Sequence, residues 1–451
     1  MKFIYPTILS FAQKNRYILG LIGVQLIVFH RWIFSNRIFT FGDIGVYPPE
    51  AQRELFFNTQ FFYTGNFGFG DVNIAASNNP FVFLYGLLGK IGINAIWSEK
   101  ILFFYPIVFG VILTSYFLIR YLTKSERGAC IGALLYSYNT YFLVTLTGAL
   151  YISLAYAFVP LIFLAFLKVL DQPTLYHKFL FAFLAAWLGF IEFRVFYITF
   201  LMMTVYFVFF LYFRKVSLRI ILSYIGHFIL PGILLILMNL FCIFPILFVG
   251  ALTDNVLFDR GLFGDGYFDI LNAFAVFHPW WTWDVPSIFV KQTAAPFLFI
   301  FPILAAILLF KRLRDGRIYV FFILFLVGIF LTKQSGAPFE AMYLWLYNHI
   351  PGFNAFRESS KFFVVSSLSL AVLVGYFFAK GDGGVRNANE KIGYSFSMGV
   401  FLALLLIVFL NAKTIATGDI GTMFIPREVP REYTELNTFL TSQKEYFRVL
   451  W

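Results

Sequence analysis

The sequence predicts an all-α polytopic membrane protein with about eleven transmembrane helices. Hydrophobic residues make up 60% of the 451 residues and charged residues only 13%, whereas soluble globular proteins carry about 25% charged residues. Long apolar runs recur along the chain with no Asp, Glu, Lys or Arg away from their ends. Lys and Arg concentrate in the short segments between alternate runs, which is typical of cytoplasmic loops.

The apolar runs define the predicted crossings, at roughly 20 residues for each. They are 17–34, 101–119, 129–146, 149–167, 179–191, 195–213, 220–249, 294–310, 318–332, 362–379 and 392–411. The run 220–249 is long for one crossing and contains Pro231 and Pro245. It is either one tilted, kinked helix or one helix with a re-entrant turn.

The distribution of charge selects one topology. With a cytoplasmic N-terminus and one crossing for each run, the short inner segments hold 18 of the 34 Lys and Arg residues, and the outer segments hold 18 of the 23 acidic residues. Two crossings within 220–249 would place Lys311 to Arg317 outside and remove this bias. The sequence therefore predicts one crossing there and an outer C-terminus. The net charge of +11 reflects topology and does not indicate nucleic-acid binding.

Most of the chain outside the apolar runs lies on the predicted outer side. The outer segments are the loops 35–100, 250–293 and 333–361 and the tail 412–451, whereas the inner loops are short. We predict a transmembrane domain over 1–411. Function is expected in the outer loops, where non-helical chain accumulates.

Short elements are expected in these outer segments. Two apolar stretches, Pro80 to Ile93 and Pro338 to His349, are too short to span a membrane and suit interfacial helices. In the tail, Arg431 to Gln443 reads as a helix and Tyr446 to Trp451 as a β-strand. A lone apolar strand has no pairing partner, so we expect the tail to begin an outer soluble domain of a longer protein.

Two acidic residues of the first outer loop are candidates for catalysis. Asp43 follows Gly42 about ten residues after the first apolar run, and Asp71 follows Gly70. A carboxylate at such a place could remove the proton of an acceptor hydroxyl group. The alternative is a turn aspartate that binds its own backbone, which Gly-Asp commonly indicates.

Basic residues close to two apolar runs are candidates for anion binding. If Arg357 and Lys361 lie in the first turn of the helix that follows, they share one face. Two cations at a helix N-terminus are unfavourable unless an anion sits with them, and a phosphate would suit the site. The alternative is that both side chains extend to the lipid–water interface. Glu192 and Arg194 either pair with each other or present Arg194 as a second anion contact.

An aromatic cluster lies in the second large outer loop. His278 and Trp280 belong to the run His278-Pro279-Trp280-Trp281-Thr282-Trp283-Asp284. This run could stack on a sugar, or it could be part of an aromatic belt at the membrane surface. The outer acidic residues could hold a divalent cation, but no spacing of ligands indicates such a site, and no cofactor is expected. The two cysteines lie in apolar runs, so no disulfide framework is expected.

Three segments together carry a family resemblance. They are Phe41-Gly42-Asp43, Gly132 to Asn139 and Phe353 to Phe362. In this order they resemble the GT-C superfamily of membrane glycosyltransferases, in particular the mycobacterial-type arabinofuranosyltransferases and the YfhO-like membrane proteins. One departure is that many members carry an acidic pair at the first acid, whereas Ile44 follows Asp43 here.

The resemblance implies an enzyme of the bacterial or archaeal plasma membrane that builds polysaccharide of the cell envelope. Such enzymes take a sugar from a polyprenyl-phosphate donor on the outer leaflet, invert the anomeric carbon and transfer the sugar to a glycan, lipid or protein acceptor. Carried over to this sequence, Asp43 would be the base, and Arg357 with Lys361 would contact the donor phosphate.

Two other classes remain open. A lipid or polysaccharide transporter or flippase would usually place ionisable residues near the middle of the bilayer. No run has an acidic or basic residue at its centre, and His227 is a titratable side chain inside the run 220–249. A non-catalytic membrane assembly factor would keep the fold without the chemistry.

Overall fold

A computed structural model describes the helical body of the chain. The described residues are 15–37, 52–53, 55–56, 63–64, 71–72, 79–215, 217–248, 261–262, 270–276, 296–311, 315–379, 388–417 and 430–443. The α-helices in chain order are α1 Arg16–Val28, α2 His30–Ile33, α3 Asn79–Lys90, α4 Ala95–Glu99, α5 Tyr105–Thr123, α6 Glu126–Ser137, α7 Thr140–Gly148, α8 Leu150–Asp171, α9 Leu175–Ile191, α10 Phe193–Arg214, α11 Leu218–Phe248, α12 Ile270–Phe274, α13 Ile300–Lys311, α14 Gly316–Thr332, α15 Glu340–His349, α16 Phe363–Phe378, α17 Ala388–Thr417 and α18 Arg431–Ser442.

Shorter elements join these helices. A π-helix, Lys100–Phe104, leads into α5, and 3-10 helices cover Pro296–Phe299, Phe353–Phe356 and Ser359–Phe362. The two-residue strands β1 Tyr63–Thr64 and β2 Asp71–Val72 form an antiparallel pair, with Thr64 opposite Asp71.

The described part of each of the eleven predicted apolar runs is largely helical, with 17–34 covering α1 and α2 and 129–146 covering α6 and α7. Among the described residues, six helices are long and apolar enough to cross a membrane, or seven if the bent pair α6–α7 is one span. The apolar helices α1, α9, α13 and α14 have 10 to 17 residues, which is below the usual length of a crossing. Eleven crossings therefore stay a prediction. Residues 220–248 of the run 220–249 lie in one continuous helix, α11, and a single crossing there stays a prediction.

The span predicted over 129–146 is broken in the structure. The axes of α6 and α7 meet at 52° across Tyr138 and Asn139. The Asn139 side chain caps α7 by accepting from the Phe142 backbone N–H at 3.0 Å, and its amide donates to the Tyr156 hydroxyl at 2.7 Å. The rings of Tyr136 and Tyr156 stack 4.2 Å apart. These contacts satisfy the polar groups that a broken helix leaves inside an apolar body.

Small residues allow the central helices to approach closely. Gly128 and Gly132 on α6 face Ala371 and Gly375 on α16, and α16 is buried over almost its whole length. A Cβ atom at Gly132 would lie 2.6 Å from the carbonyl oxygen of Ala371. This pattern of small residues four apart is typical of helix contacts in membranes, where packing rather than the hydrophobic effect drives association.

One end of the helical body brings distant parts of the chain together, and we call it the site face. There α9 and α14 end, and α10 and the turn leading into α16 begin. The Ser359 hydroxyl donates to the Thr332 carbonyl at 2.6 Å, which ties the last residue of α14 to this turn. Gly328 on α14 lies directly against Ser366 on α16.

Candidate functional site

Glu192 and Arg194 form an ion pair where α9 passes into α10. Glu192 has an extended backbone and caps α10, because its carboxylate accepts from the Arg194 backbone N–H at 3.3 Å. The guanidinium binds the same carboxylate with two atoms, Nε to Oε1 at 2.6 Å and Nη2 to Oε2 at 2.9 Å. The pairing that the sequence left as one alternative is therefore present.

Glu358 and Lys361 form a second ion pair in the turn before α16. The Lys361 ammonium donates to Glu358 Oε2 at 2.7 Å, and only 4% of the Lys361 side chain is exposed. The Ser360 hydroxyl donates to the other carboxylate oxygen of Glu358. The charge of Glu358 is therefore balanced by Lys361, and both of its oxygens accept hydrogen bonds, next to the start of the buried helix α16.

This geometry differs from the shared helical face that was considered for Arg357 and Lys361. That arrangement needs an α-helical first turn, but Glu358 is extended and Ser359–Phe362 form a 3-10 helix. Glu358 has taken the position beside Lys361, whereas Arg357 is half-buried and its carbonyl accepts from the Gln334 side chain at 2.6 Å. The role of Arg357 in binding a donor remains a prediction.

The two ion pairs are electrostatic neighbours, and we call Glu192, Arg194, Glu358 and Lys361 the charge cluster. Burial disfavours the ionised form of Glu192, but the charge of Arg194, with a further contribution from Lys361, holds the pKa of Glu192 below its usual range. Burial opposes ionisation of Glu358 in the same way, but Lys361 and then Arg194 hold the pKa of Glu358 below its usual range. Both carboxylates are therefore ionised at neutral pH, and the cluster is neutral overall.

Tyr141 lies close to the charge cluster, inside the helical body. It lies on α7, just after the break, with 1% of its surface exposed. Its hydroxyl group interacts electrostatically with Glu358, Glu192 and Arg194. Its ring packs 5.7 Å from that of Phe363, the first residue of α16. The break between α6 and α7 thus places a phenol beside the charges.

The loop after α14 supports the turn that carries Glu358 and Lys361. Lys333 is buried and donates to the Gly336 carbonyl at 2.6 Å. Burial lowers the pKa of Lys333, against the opposing charge of Glu340. The amide of Gln334 holds the Arg357 carbonyl. These contacts lock the backbone of the loop, so the charges beside it have fixed positions.

An apolar crevice lies along α10, and its first lining residue on this helix is Phe196, two positions after Arg194. It is a cavity of about 190 Å³ between α8, α9, α10 and α11. Its walls include Phe196 and Phe200 on α10 and Pro231 and Gly232 on α11. Because α10 begins at the charge cluster and residues 196–207 of this helix line the crevice, the crevice lies along the part of α10 that follows the cluster.

Comparison with known proteins shows a fold resemblance. No family model and no curated protein matches the sequence. The fold is similar to the cryo-EM structure of arabinofuranosyltransferase AftD from Mycobacteria, with a TM-score of 0.53 and 12% sequence identity. The match covers 95% of this chain and 28% of that one, so this chain spans less than a third of the length of that protein. At this identity the similarity shows a GT-C-like membrane fold.

The structure does not describe the side chains of the remaining candidates from the sequence. Asp43, His278 and Trp280 lie outside the described residues. Asp71 lies in β2, but its side chain is not described. A convergence of Asp43 with the basic residues therefore stays a prediction. Within the described ranges, no group of three or more His, Cys, Asp or Glu side chains could hold a metal ion.

Sequence reasoning missed several members of the site. The sequence alone assigned no role to Glu358, which lies within Phe353 to Phe362, although the i, i+3 spacing of Glu358 and Lys361 is a known pairing distance in helical turns. No sequence pattern indicated a role for Ser360 or Tyr141. The proximity of Arg194 to Lys361, which are 167 positions apart, could only come from the fold.

Proposed function

We propose that this protein is an integral membrane glycosyltransferase. It moves a sugar from a polyprenyl-phosphate-linked donor to a glycan, lipid or protein acceptor on the extracytoplasmic side, with inversion of the anomeric carbon. The observation that carries the proposal is the charge cluster, in which Arg194 and Lys361 come from separate helices to one place at the end of the bundle. The similarity of the fold to a membrane arabinofuranosyltransferase supports the reaction class.

The chemistry of the reaction requires cations at the leaving group. A bond forms between the acceptor oxygen and the anomeric carbon, the bond from that carbon to the phosphate oxygen breaks, and the phosphate gains negative charge. The planar guanidinium of Arg194 can bind two phosphate oxygens at once, and the Lys361 ammonium can bind a third. Glu192 and Glu358 hold these groups in place and would exchange with the phosphate when the donor binds.

The acceptor proton must leave on the opposite side of the sugar. We assign this role to Asp43, as the family resemblance implies. The Asp43 carboxylate should lie on the order of 6–12 Å from the cations, by analogy with the distance between the two carboxyl groups of inverting hydrolases, which leaves room for the sugar. Asp71, His278 and Trp280 are proposed contacts of the sugar or the acceptor, and Arg357 a further contact of the donor. These assignments rest on the sequence.

The crevice beside the charge cluster favours a donor that is carried on a lipid. Its lining is almost wholly apolar, with Thr204 as the exception, and α11 forms its outer wall. A water-soluble nucleotide sugar would gain nothing from such a surface, whereas a lipid chain is stabilised along it by apolar contacts.

The test is a transfer assay in lipid nanodiscs with a short-chain polyprenyl-phosphate sugar, over a panel of sugars. Arg194→Met and Lys361→Met should each lower kcat/KM by roughly 10- to 100-fold, since a hydrogen bond to a charged group is worth about 1.5–3 kcal/mol. Arg214→Met is the matched control. Arg214 lies at the other end of α10 and donates to the Tyr224 hydroxyl at 2.9 Å.

Two outcomes of this assay count against the proposal. Absence of transfer from every donor of the panel, with protein that remains folded, would reject the activity. Equal losses in Arg214→Met and Arg194→Met would mean that the effect is on stability rather than on the donor site.

A further inference from the structure

A buried lysine holds the chain where the first outer loop begins. Lys100 is the first residue of the π-helix ahead of α5, and only 4% of its surface is exposed. Its ammonium donates to the Ile33 carbonyl at 3.4 Å and to the Ser35 carbonyl, and it lies 4.9 Å from the centre of the Trp97 ring. A buried ammonium group must be hydrogen-bonded, and its acceptors here lie ten and eight positions before Asp43.

A buried glutamine holds the same loop nine positions after Asp43. Gln52 is 1% exposed, and its amide nitrogen donates to the Ser98 hydroxyl oxygen at 2.8 Å and to the Tyr85 carbonyl at 3.1 Å. Gly89 leaves room for this side chain, because a Cβ atom there would lie 3.0 Å from it. One amide group therefore joins this point of the loop to both α3 and α4.

The two contacts lie side by side in the fold. Ser98 and Lys100 are two positions apart in one continuous helix, Ala95–Thr123. Between the contacts lies the segment 36–51, which could reach roughly 55 Å if it were fully extended. Both of its ends are nevertheless held at one place, so Lys100 and Gln52 together limit where this segment can lie.

The helices that hold these ends also pack against the helix that leads to the charge cluster. The ring of Phe81 on α3 lies 5.1 Å from the ring of Trp187 on α9 and 5.5 Å from the ring of Phe103 in the π-helix. Trp187 precedes Glu192 by five positions, which is about 7.5 Å along a helix axis. α3, α4 and the π-helix thus connect both ends of the segment 36–51 to the helix that ends at the cluster.

We propose that Lys100 and Gln52 are positioning residues, which fix both ends of the segment 36–51 and so keep Asp43 at a set distance from the charge cluster. This inference rests on the proposed role of Asp43 as the base. An apolar side chain at either position would pack without the cost of burying polar groups, so the amine and the amide serve to hold the atoms that they bind. Catalysis is sensitive to such placement, since a misplacement of about 1 Å can lower the rate roughly 100-fold.

The first test is a double-mutant cycle in the transfer assay, after melting curves establish that the variants fold. Lys100→Met and Gln52→Met keep the length of the side chain and remove its donors. Each should lower kcat about tenfold or more and change the KM of the donor less than about twofold, because the cations that bind the donor are retained. In the Asp43→Asn background either substitution should lower kcat by less than about twofold further, since a missing base cannot be misplaced. Wild-type kcat in both single variants, or a full further loss in the Asp43→Asn background, would overturn the proposal.

Thr114→Val is the matched control for the loss of a contact to a backbone carbonyl. Thr114 lies on α5, in the same continuous helix as Lys100, and its hydroxyl donates to the Ala157 carbonyl at 2.7 Å. This contact does not involve the ends of the Asp43 segment, so kcat should stay within about twofold of wild type. A loss in Thr114→Val equal to that in Lys100→Met would assign the effect to general destabilisation and overturn the proposal.

A second readout needs no transfer activity and separates failure of this inference from failure of the proposed function. Spin labels at Asn36→Cys and Arg53→Cys, both exposed, flank the segment in a full chain whose Cys130 and Cys242 are replaced by Ala. Pulsed dipolar EPR in nanodiscs should give one narrow distance distribution for this parent and for the control substitution. The distribution should become wider when either positioning residue is replaced. This result without transfer from any donor would keep the anchoring and reject only the proposed function, whereas equal widths in all of these proteins would overturn the anchoring itself.

Discussion

At the scale of single residues, the charge cluster depends on carboxylates that stay ionised although they are largely buried. Glu192 keeps its charge because the Arg194 guanidinium binds both of its oxygens. Glu358 keeps its charge because Lys361 and Ser360 donate to its two oxygens. Burying an ion pair costs free energy, and so does removing one partner of a buried pair. We therefore infer that the pairs at these helix ends serve to hold the charged groups in fixed positions rather than to stabilise the fold.

Glu358→Gln should destabilise the protein in a pH-dependent way. It leaves Lys361 buried without its counter-ion, which costs roughly 3 kcal/mol for a buried pair. Because the folded protein depresses the pKa of Glu358 from a usual value of 4.5, the stabilisation is fully present above that pH and is lost as the pH falls through the folded pKa. The melting temperatures of wild type and Glu358→Gln should therefore differ most at neutral pH and converge in acid.

Glu435→Gln provides the control for this comparison. Glu435 pairs with Arg431 on an exposed helix, where ion pairs contribute little. Its melting temperature should follow the wild-type curve at every pH. A constant difference between wild type and Glu358→Gln down to acid pH would show that folding does not lower the pKa of Glu358.

Asp43→Asn tests the proposed base. The substitution removes the carboxylate and keeps the shape, so transfer should fall by roughly 100-fold or more, the scale of general base catalysis. The melting temperature should stay within about 1–2 °C of wild type, because Asn has the same shape as Asp. Transfer at the wild-type rate in Asp43→Asn would remove Asp43 from the mechanism.

At the scale of elements, the close crossing of α6 and α16 positions the break that carries Asn139 and Tyr141. The crossing has no room for side chains, since a Cβ atom at Gly128 would lie 2.3 Å from the Gly375 carbonyl oxygen. α16 in turn begins at the turn that holds Glu358 and Lys361. Substitutions at this crossing should therefore shift α6 and α16 and, with them, the residues of the charge cluster.

Gly132→Ala should destabilise the protein, whereas Gly226→Ala should not. The new methyl group at Gly132 would meet the Ala371 carbonyl and Ile119, and overpacking of this kind costs about 1–3 kcal/mol. Nothing lies within 4 Å of a Cβ atom at Gly226 on α11, and alanine favours a helix over glycine by about 1 kcal/mol. Melting curves in nanodiscs compare the two variants. A higher melting temperature for Gly132→Ala would contradict the packing described here.

At the scale of the whole molecule, the ion pairs lie at the ends of apolar helices rather than at their centres. Glu192 directly precedes α10, and Glu358 and Lys361 precede α16. Ion-coupled transporters place such groups near the bilayer midplane. This position favours transfer at a membrane surface over transport through the membrane, and an assay of lipid flux in proteoliposomes beside the transfer assay separates the two activities.

The orientation of the molecule is tested by cysteine labelling in intact cells. α10 runs from the site face to Lys215 at its other end. We expect Asn348→Cys to react with an impermeant maleimide from outside, and Lys215→Cys to react only after the cells are permeabilised. The reason is that the segments on the Lys215 side carry most of the short-loop Lys and Arg residues. The reverse pattern would place the charge cluster in the cytoplasm and reject an extracytoplasmic acceptor.

The sequence by itself determined the class of the molecule and the location of its helices. Each apolar run became helix, and the run 220–249 became one helix. The amphipathic segment at 338–349 and the tail segment at 431–443 also became helices. These features follow from local chemistry, because an apolar segment in lipid must satisfy its backbone hydrogen bonds internally.

The tertiary structure decided which charged residues meet and in which geometry. The sequence offered Glu192 with Arg194 and Arg357 with Lys361 as separate possibilities, and it did not indicate that Glu358 rather than Arg357 would lie beside Lys361. The break at Asn139 and the approach of Tyr141 to the cluster were equally hidden. Such contacts join positions far apart in the chain, and they depend on how helices pack, which no local pattern of residues encodes.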